Sequence, residues 1–271
     1  MSDEARLAAD WQADLQLIRT AAVAAGQTAL GYFRKSPDVR WKNEGRSPVS
    51  EADLAANDVL KTRLLSARPD YGWLSEETDD DLSRLSRETA FVIDPIDGTR
   101  AFIGGKELWC VSVAVVHRGE PVAGVLYAPA LDELFEAVAG GPALKNGAPI
   151  SVREAKAGDT LHLAAAEDTI AKFASVYATP VVRVPHVPSL AYRLAMVADA
   201  RIDGTLVKRN AHDWDLAAAD LILAQAGGRL ADLSGAPLSY NRPEVVHGVL
   251  CAAARPVLPG LIAASRTLEP H

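Results

Sequence analysis

The chain has 271 residues and a mass of 28.8 kDa, enough to bury a substantial core as one large domain or two closely packed halves. Hydrophobic residues make up 49% and charged ones 23%, the profile of a soluble globular protein. The formal net charge of −7 argues against a nucleic-acid polymer or an anionic membrane as general partner, though an anionic small substrate stays open because bound cations can invert a local field. Cys110 and Cys251 lie far apart with no Cys or His at ligand spacing, so they read as buried packing residues. The start, Met1-Ser2-Asp3-Glu4, is acidic and no long apolar run follows, so a cytoplasmic protein without a membrane span is expected.

Leu7, Trp11, Leu15, Ile18 and Ala22 recur at helical intervals and predict one long amphipathic helix over Leu7–Tyr32. Val39–Val49 mixes short extended pieces with Lys42, Asn43, Glu44 and Gly45, the pattern of a hairpin or a flexible loop. Ser50 with Asp53 three residues on forms an approximate capping box for a helix to about Ser66; as a helix-start acid, Asp53 needs no further role. Tyr71–Ser75 reads as a short strand running into Glu76-Glu77, and neighbouring strand ends would set Glu76 beside Asp94. Leu108–Val116, Pro121–Ala128 and Glu133–Val138 read as successive antiparallel strands, followed by turns at Gly140-Gly141-Pro142 and Asn146-Gly147.

The pattern changes near Ser151. Strands are expected at Leu161–Ala166, Val181–Val184 and Ile202–Val207, with helices over about Thr169–Tyr177 and from a Ser189 cap to about Ala198. Such alternation predicts a parallel or mixed sheet with helices on its faces. His212-Asp213-Trp214-Asp215 precedes a helix over Leu216–Ala226 closed by Gly227-Gly228, which puts Asp215 at a helix N-terminus. Strands around Leu230 and Val249 and a last helix over about Val257–Ser265 complete the expected fold. The division predicted is an α+β region over 1–150 and an α/β region over 151–271 that supplies Asp215.

The most informative stretch is Phe91-Val92-Ile93-Asp94-Pro95-Ile96-Asp97-Gly98-Thr99-Arg100. An apolar strand is expected to stop at Asp94, where Pro95 has no N–H to offer, and Asp97 takes the N-cap position of a helix begun by Gly98 and Thr99. Two carboxylates on one stiff bend repel each other, and hard divalent cations relieve that repulsion. The first-turn amides of Gly98 and Thr99 offer a phosphate site. Asp-Pro and Asp-Gly are also everyday turn dipeptides, so the reading depends on further acids elsewhere.

Those acids are present. Ser50-Glu51-Ala52-Asp53, Trp73-Leu74-Ser75-Glu76-Glu77, Asp94-Pro95-Ile96-Asp97-Gly98-Thr99 and Trp214-Asp215-Leu216-Ala217-Ala218 together resemble, in order and over nearly the whole chain, the inositol monophosphatase superfamily of lithium-sensitive, Mg²⁺-dependent phosphomonoesterases. The resemblance implies a layered α-β-α-β-α sandwich, α/β (α+β) in class, two or three Mg²⁺ ions per site, and a homodimer. It implies that Glu76, Asp94 and the Ile96 carbonyl hold one ion and Asp94, Asp97 and Asp215 a second. Asp53, through water, would serve a weaker third ion near Glu76. Thr99 with Asp53 and Glu76 would orient the attacking water, and Asp97, Gly98 and Thr99 would meet the phosphoryl group.

Lys208 stands where inositol-specific members carry a Glu that binds a sugar hydroxyl, and Arg209 follows it. A cation can pair with a second phosphate instead. With Arg193 after Ser189-Leu190-Ala191-Tyr192, and with Val111–Val115 and Gly124–Pro129, the chain also looks like bacterial 3'(2'),5'-bisphosphate nucleotidases. The expected substrate is therefore a small phosphate ester, foremost adenosine 3',5'-bisphosphate, ahead of inositol 1-phosphate, histidinol phosphate or a sugar bisphosphate. Two simpler readings stand beside this one: Lys208 and Arg209 as a solvated pair, and Tyr192 as core rather than an adenine platform. A non-catalytic binder of a phosphorylated metabolite is the rival from another class.

Overall fold

A computed structural model describes residues 3–35, 39–42, 47–154, 156, 158–165, 167, 170–171, 174 and 180–266. Helix α1 (Asp3–Tyr32) is followed by an antiparallel pair, β1 (Val39–Lys42) and β2 (Ser47–Ser50), so the described parts of the 39–49 stretch pair as the expected hairpin strands would. Helix α2 (Glu51–Ala67) follows at once. Along α1, Leu15, Ile18, Ala22, Ala25 and Ala29 are buried at alternating steps of three and four; along α2, Ala52, Ala56, Leu60 and Leu64 are buried at steps of four. These two stripes pack on each other and on the sheet beneath them.

That sheet has seven strands in chain order: β3 (Gly72–Ser75), β4 (Thr89–Asp97), β5 (Cys110–His117), β6 (Glu120–Ala128), β7 (Glu133–Val138), β8 (Leu144–Lys145) and β9 (Ala148–Pro149). Only β3 and β4 run parallel. Its central strands are apolar on both sides because both faces are covered. Phe91, Ile93, Val111, Val113, Val115 and Val125 turn toward α1 and α2; Val92, Ala114, Val116 and Leu126 turn to the opposite layer. Helix α3 (Thr99–Ile103) is a single short turn between β4 and β5.

The chain then builds a five-stranded sheet. β10 (Leu161–Ala164) lies parallel to β11 (Val181–Arg183) and to β12 (Gly204–Val207), with α4 (Leu190–Ala198) between the last two in sequence. β13 (Ala211–His212) enters α5 (Asp213–Gln225), and β14 (Gly228–Asp232), β15 (Val246–His247) and β16 (Leu250–Ala254) follow. The sheet order is β11-β10-β12-β16-β14, antiparallel on its β16 side, while β13 and β15 form a separate small pair. Helix α6 (Leu258–Arg266) packs on β16. Most of the helix expected over Thr169–Tyr177 lies outside the described residues; Ile170, Ala171 and Ala174 are helical.

The layers are α1 and α2, the seven-stranded sheet, α4 and α5, the five-stranded sheet, and α6: the α-β-α-β-α sandwich expected. The middle helical layer is the tightest. A Cβ on Gly124 of β6 would stand 2.9 Å from the Ala218 carbonyl oxygen and 3.1 Å from its Cα. Ala217, Ala218 and Ala219 are buried with it, so α5 lies nearly backbone to backbone on the sheet. No described helix is long and apolar enough to cross a membrane.

Candidate active site

The site forms where β4 ends. β4 does not stop at Asp94 as expected; it continues to Asp97, and its register against β5 shifts between Asp94–Ser112 and Asp97–Cys110. The irregularity holds Pro95, which has no N–H for a ladder. The Ile96 amide instead meets the Asp94 carboxylate at 3.0 Å, within the bend itself. The parallel register pairs Ser75 with Ile93, so Glu76 emerges beside Asp94, and the Glu76 amide donates to the Ile93 carbonyl at 3.2 Å.

The helix cap here also differs from expectation. Gly98, not Asp97, precedes α3, with a left-handed φ of 94° that suits glycine. Asp97 caps a different helix. Its carboxylate accepts hydrogen bonds from the Ala191 amide at 2.6 Å, the Leu190 amide at 3.2 Å and the Ser189 hydroxyl, all at the start of α4. A carboxylate at a helix N-terminus is favoured by the exposed amides and the macrodipole.

Asp215 is the third residue of α5, where its carboxylate accepts from the His212 amide at 2.7 Å. The helix begins three residues earlier than expected, at Asp213. Ser112, the register partner of Asp94, donates to the Trp214 carbonyl at 3.1 Å and ties this first turn to the sheet. Asp94, Asp97 and Asp215 thereby bring carboxylate oxygens within 4.8 Å of one another. Asp94 and Asp97 are nearly fully buried, whereas Asp215 is partly open.

Electrostatically the arrangement is strained without cations. Burial raises the Asp94 carboxyl well above the usual range, and Glu76, Asp97, Asp215 and Asp53 raise it further, in that order. Burial and Asp215 push Asp97 up to about 7 against the opposing effect of the α4 donors. Asp53 is fully buried at the start of α2, where its carboxylate accepts from the Ser50 amide at 2.8 Å and the Ser50 hydroxyl at 2.5 Å. Burial pushes it up to about 6. The Thr99 hydroxyl lies 3.0 Å from the Ile96 carbonyl and 3.3 Å from Asp53, and its one proton serves one of them at a time. These are hard oxygen donors with lone pairs to spare, the donor set of Mg²⁺, Mn²⁺ or Ca²⁺ rather than of a soft metal.

Beside Asp215 opens a cavity of about 370 Å³, lined among others by Arg193, Lys208, Arg209, Asn210 and His186. Arg193 is mostly buried, and its Nε has no hydrogen-bond partner among the described residues. Two residues read as part of this wall belong elsewhere. Tyr192 is 1% exposed, packs edge-on to Phe135, donates its hydroxyl proton to Glu133 and accepts from Arg201; it cannot stack on a ligand. Ser189 is wholly buried and serves Asp97 and the α4 cap, through the Tyr192 amide at 3.1 Å. Sequence reasoning did not single out Cys110 as a neighbour of the site, yet it is buried with its Sγ 3.6 Å from the Ser189 Oγ; its place opposite Asp97 depends on strand register alone.

Comparison with known proteins agrees with this geometry. The model of the inositol monophosphatase family matches residues 10–269. An inositol-1-monophosphatase of Mesorhizobium japonicum is 33% identical over 244 residues, 86% of this chain and 91% of that protein. A 3'(2'),5'-bisphosphate nucleotidase CysQ of Aggregatibacter actinomycetemcomitans is 31% identical over 85% of this chain and 88% of its own length. The solved inositol monophosphatase of Anabaena superposes with a TM-score of 0.76 at 27% identity, covering 97% of this chain and 98% of that one. The chain therefore belongs to the inositol monophosphatase family and is a metal-dependent phosphoric monoester hydrolase.

Proposed function

We propose that the enzyme removes the 3'-phosphate of adenosine 3',5'-bisphosphate with two or three Mg²⁺ ions held by Glu76, Asp94, the Ile96 carbonyl, Asp97, Asp215 and, through water, Asp53. When bound, the ions supply a Lewis acid for the phosphoryl group and lower the pKa of water. The chain's own residues do the rest. Asp53 and Ile96 hold the Thr99 hydroxyl in place to orient the attacking water. The first-turn amides at Gly98 and Thr99, without helical partners of their own, meet the phosphoryl oxygens as charge redistributes. Preorganised donors of this kind contribute about 10²–10³ in rate.

The observation that carries the substrate is the cavity next to Asp215, where Arg193, Lys208 and Arg209 face a space of about 370 Å³. A polyol asks for acceptors there; a second phosphate asks for cations, and the buried Arg193 Nε is a donor awaiting one. With Tyr192 withdrawn into the core, Pro185, His186 and Leu190 are left to contact a base. A homodimer of cytoplasmic location completes the proposal, by family likeness.

Phosphate release from adenosine 3',5'-bisphosphate, inositol 1-phosphate and histidinol phosphate tests the substrate. The bisphosphate is expected to give the highest kcat/KM, and Lys208→Glu to lower it about tenfold or more through KM. A preference for inositol 1-phosphate that Lys208→Glu leaves unchanged would overturn the assignment.

A further inference from the structure

A chain of buried polar contacts leads away from the acid cluster, and nothing in the reaction uses it directly. Asp213, the first residue of α5, is completely buried two positions before Asp215. One of its carboxylate oxygens meets His247 Nε2 at 2.7 Å and the other accepts from the Asn241 amide at 2.7 Å. Its own amide donates to the Val245 carbonyl at 3.0 Å. Asn241 offers that amide from a left-handed backbone with a φ of 54°, which asparagine tolerates at some cost. Its side-chain oxygen accepts from Arg84 at 2.8 Å.

Arg84 is an unusual residue to bury: its side chain has no exposed surface. It forks onto Asp80 at 2.7 to 3.1 Å and also donates to the Arg242 carbonyl at 3.0 Å. It lies on a short 3₁₀ turn (Ser83–Ser86) between Glu76 and β4. Arg84 and Asn241 are 157 positions apart, so the contact joins the segment that follows Glu76 to the segment that pins α5. A buried arginine with every contact matched to a fixed acceptor is costly to rearrange.

We infer that Asp213 is a positioning residue: held between His247 and the Arg84-braced Asn241, it fixes the first turn of α5 so that the Asp215 carboxylate stays within reach of Asp94 and Asp97. The inference rests on the reading of Asp215 as a metal ligand. Groups that orient a ligand from outside the coordination sphere commonly change metal affinity by about 10- to 100-fold when altered.

Calorimetric titration of the apo protein with Mg²⁺ alone, paired with thermal unfolding, tests it in four variants. Asp213→Asn keeps the shape but turns one of two accepting oxygens into an amide donor, which cannot serve both His247 and the Asn241 amide as the carboxylate does, and is expected to weaken Mg²⁺ binding about tenfold. Arg84→Lys loses the fork and is expected to weaken it in the same direction. Asp220→Asn, in the same helix and bonded at 2.8 Å to Tyr240, is the comparison: it is expected to lower the unfolding temperature with Mg²⁺ affinity unchanged. Asp215→Asn is expected to remove the binding that Asp213→Asn weakens. If Asp213→Asn binds Mg²⁺ as the parent does, whatever its unfolding temperature, the positioning role is overturned. Should that variant not fold, unchanged affinity in Arg84→Lys overturns it equally. Unchanged affinity in Asp215→Asn would instead remove the ligand reading beneath it.

Discussion

The Asp94 carboxylate accepts from the Ile96 amide within its own bend, while four other carboxylates raise its pKa. Removing its charge should therefore relieve the apo fold and ruin the enzyme. Asp94→Asn is expected to lose more than about 100-fold in kcat while the metal-free protein unfolds at the same or a higher temperature; phosphate-release kinetics and thermal melts read the two effects. Asp53 and Asp97, raised to about 6 and about 7, give a second prediction. A folded-state pKa above the unfolded value of 3.8 means that the folded protein binds more protons between those values. The stability associated with both groups is present below pH 3.8 and is lost as pH rises through 6 to 7. With EDTA, the unfolding temperature should fall across that window from these groups. With Mg²⁺ it should recover at pH 8 far more than at pH 5, because the ion competes with protons for the same oxygens. An equal Mg²⁺ effect at both pH values would contradict the assignment.

At the scale of elements, the site depends on how closely α5 approaches β6. Gly124→Ala would push a methyl to within 2.9 Å of the Ala218 carbonyl. Over-packing of this kind costs about 1–3 kcal/mol, to be read as a lower urea midpoint at unchanged slope. Leu60→Ala on α2, at a fully buried position, should cost about 2–5 kcal/mol by opening a cavity on the other face of the sheet. Local order was what the sequence made legible. β7 runs from Glu133 to Val138 as its pattern predicts, the Ser50–Asp53 capping box is present, and parallel pairing of β3 with β4 sets Glu76 beside Asp94. What was not legible is contact over long separations. Nothing near Asp97 announces that it caps a helix starting at Leu190, and nothing near Tyr192 says that Glu133 and Arg201 will hold its hydroxyl. Period and composition report which face is buried, not which partner buries it.

For the molecule as a whole, the two sheets and the helices between them bring one acid from α5 to a corner built by β4. Asp94 and Asp97 come from one strand end, and Asp215 arrives from more than a hundred positions later. This cluster of acids lies beside a cavity whose lining, at Arg193, Lys208 and Arg209, is cationic. Under the proposed function the fold would separate two jobs: oxygen donors for cations on one side, nitrogen donors for a second anionic group on the other. The most direct test of the carboxylate cage is anomalous diffraction from crystals soaked in Mn²⁺ as a stand-in for Mg²⁺. Peaks bounded by Asp94, Asp97 and Asp215, with a further peak toward Glu76, are the predicted result. An active enzyme whose crystals show no peak there, or peaks only away from these carboxylates, would contradict it.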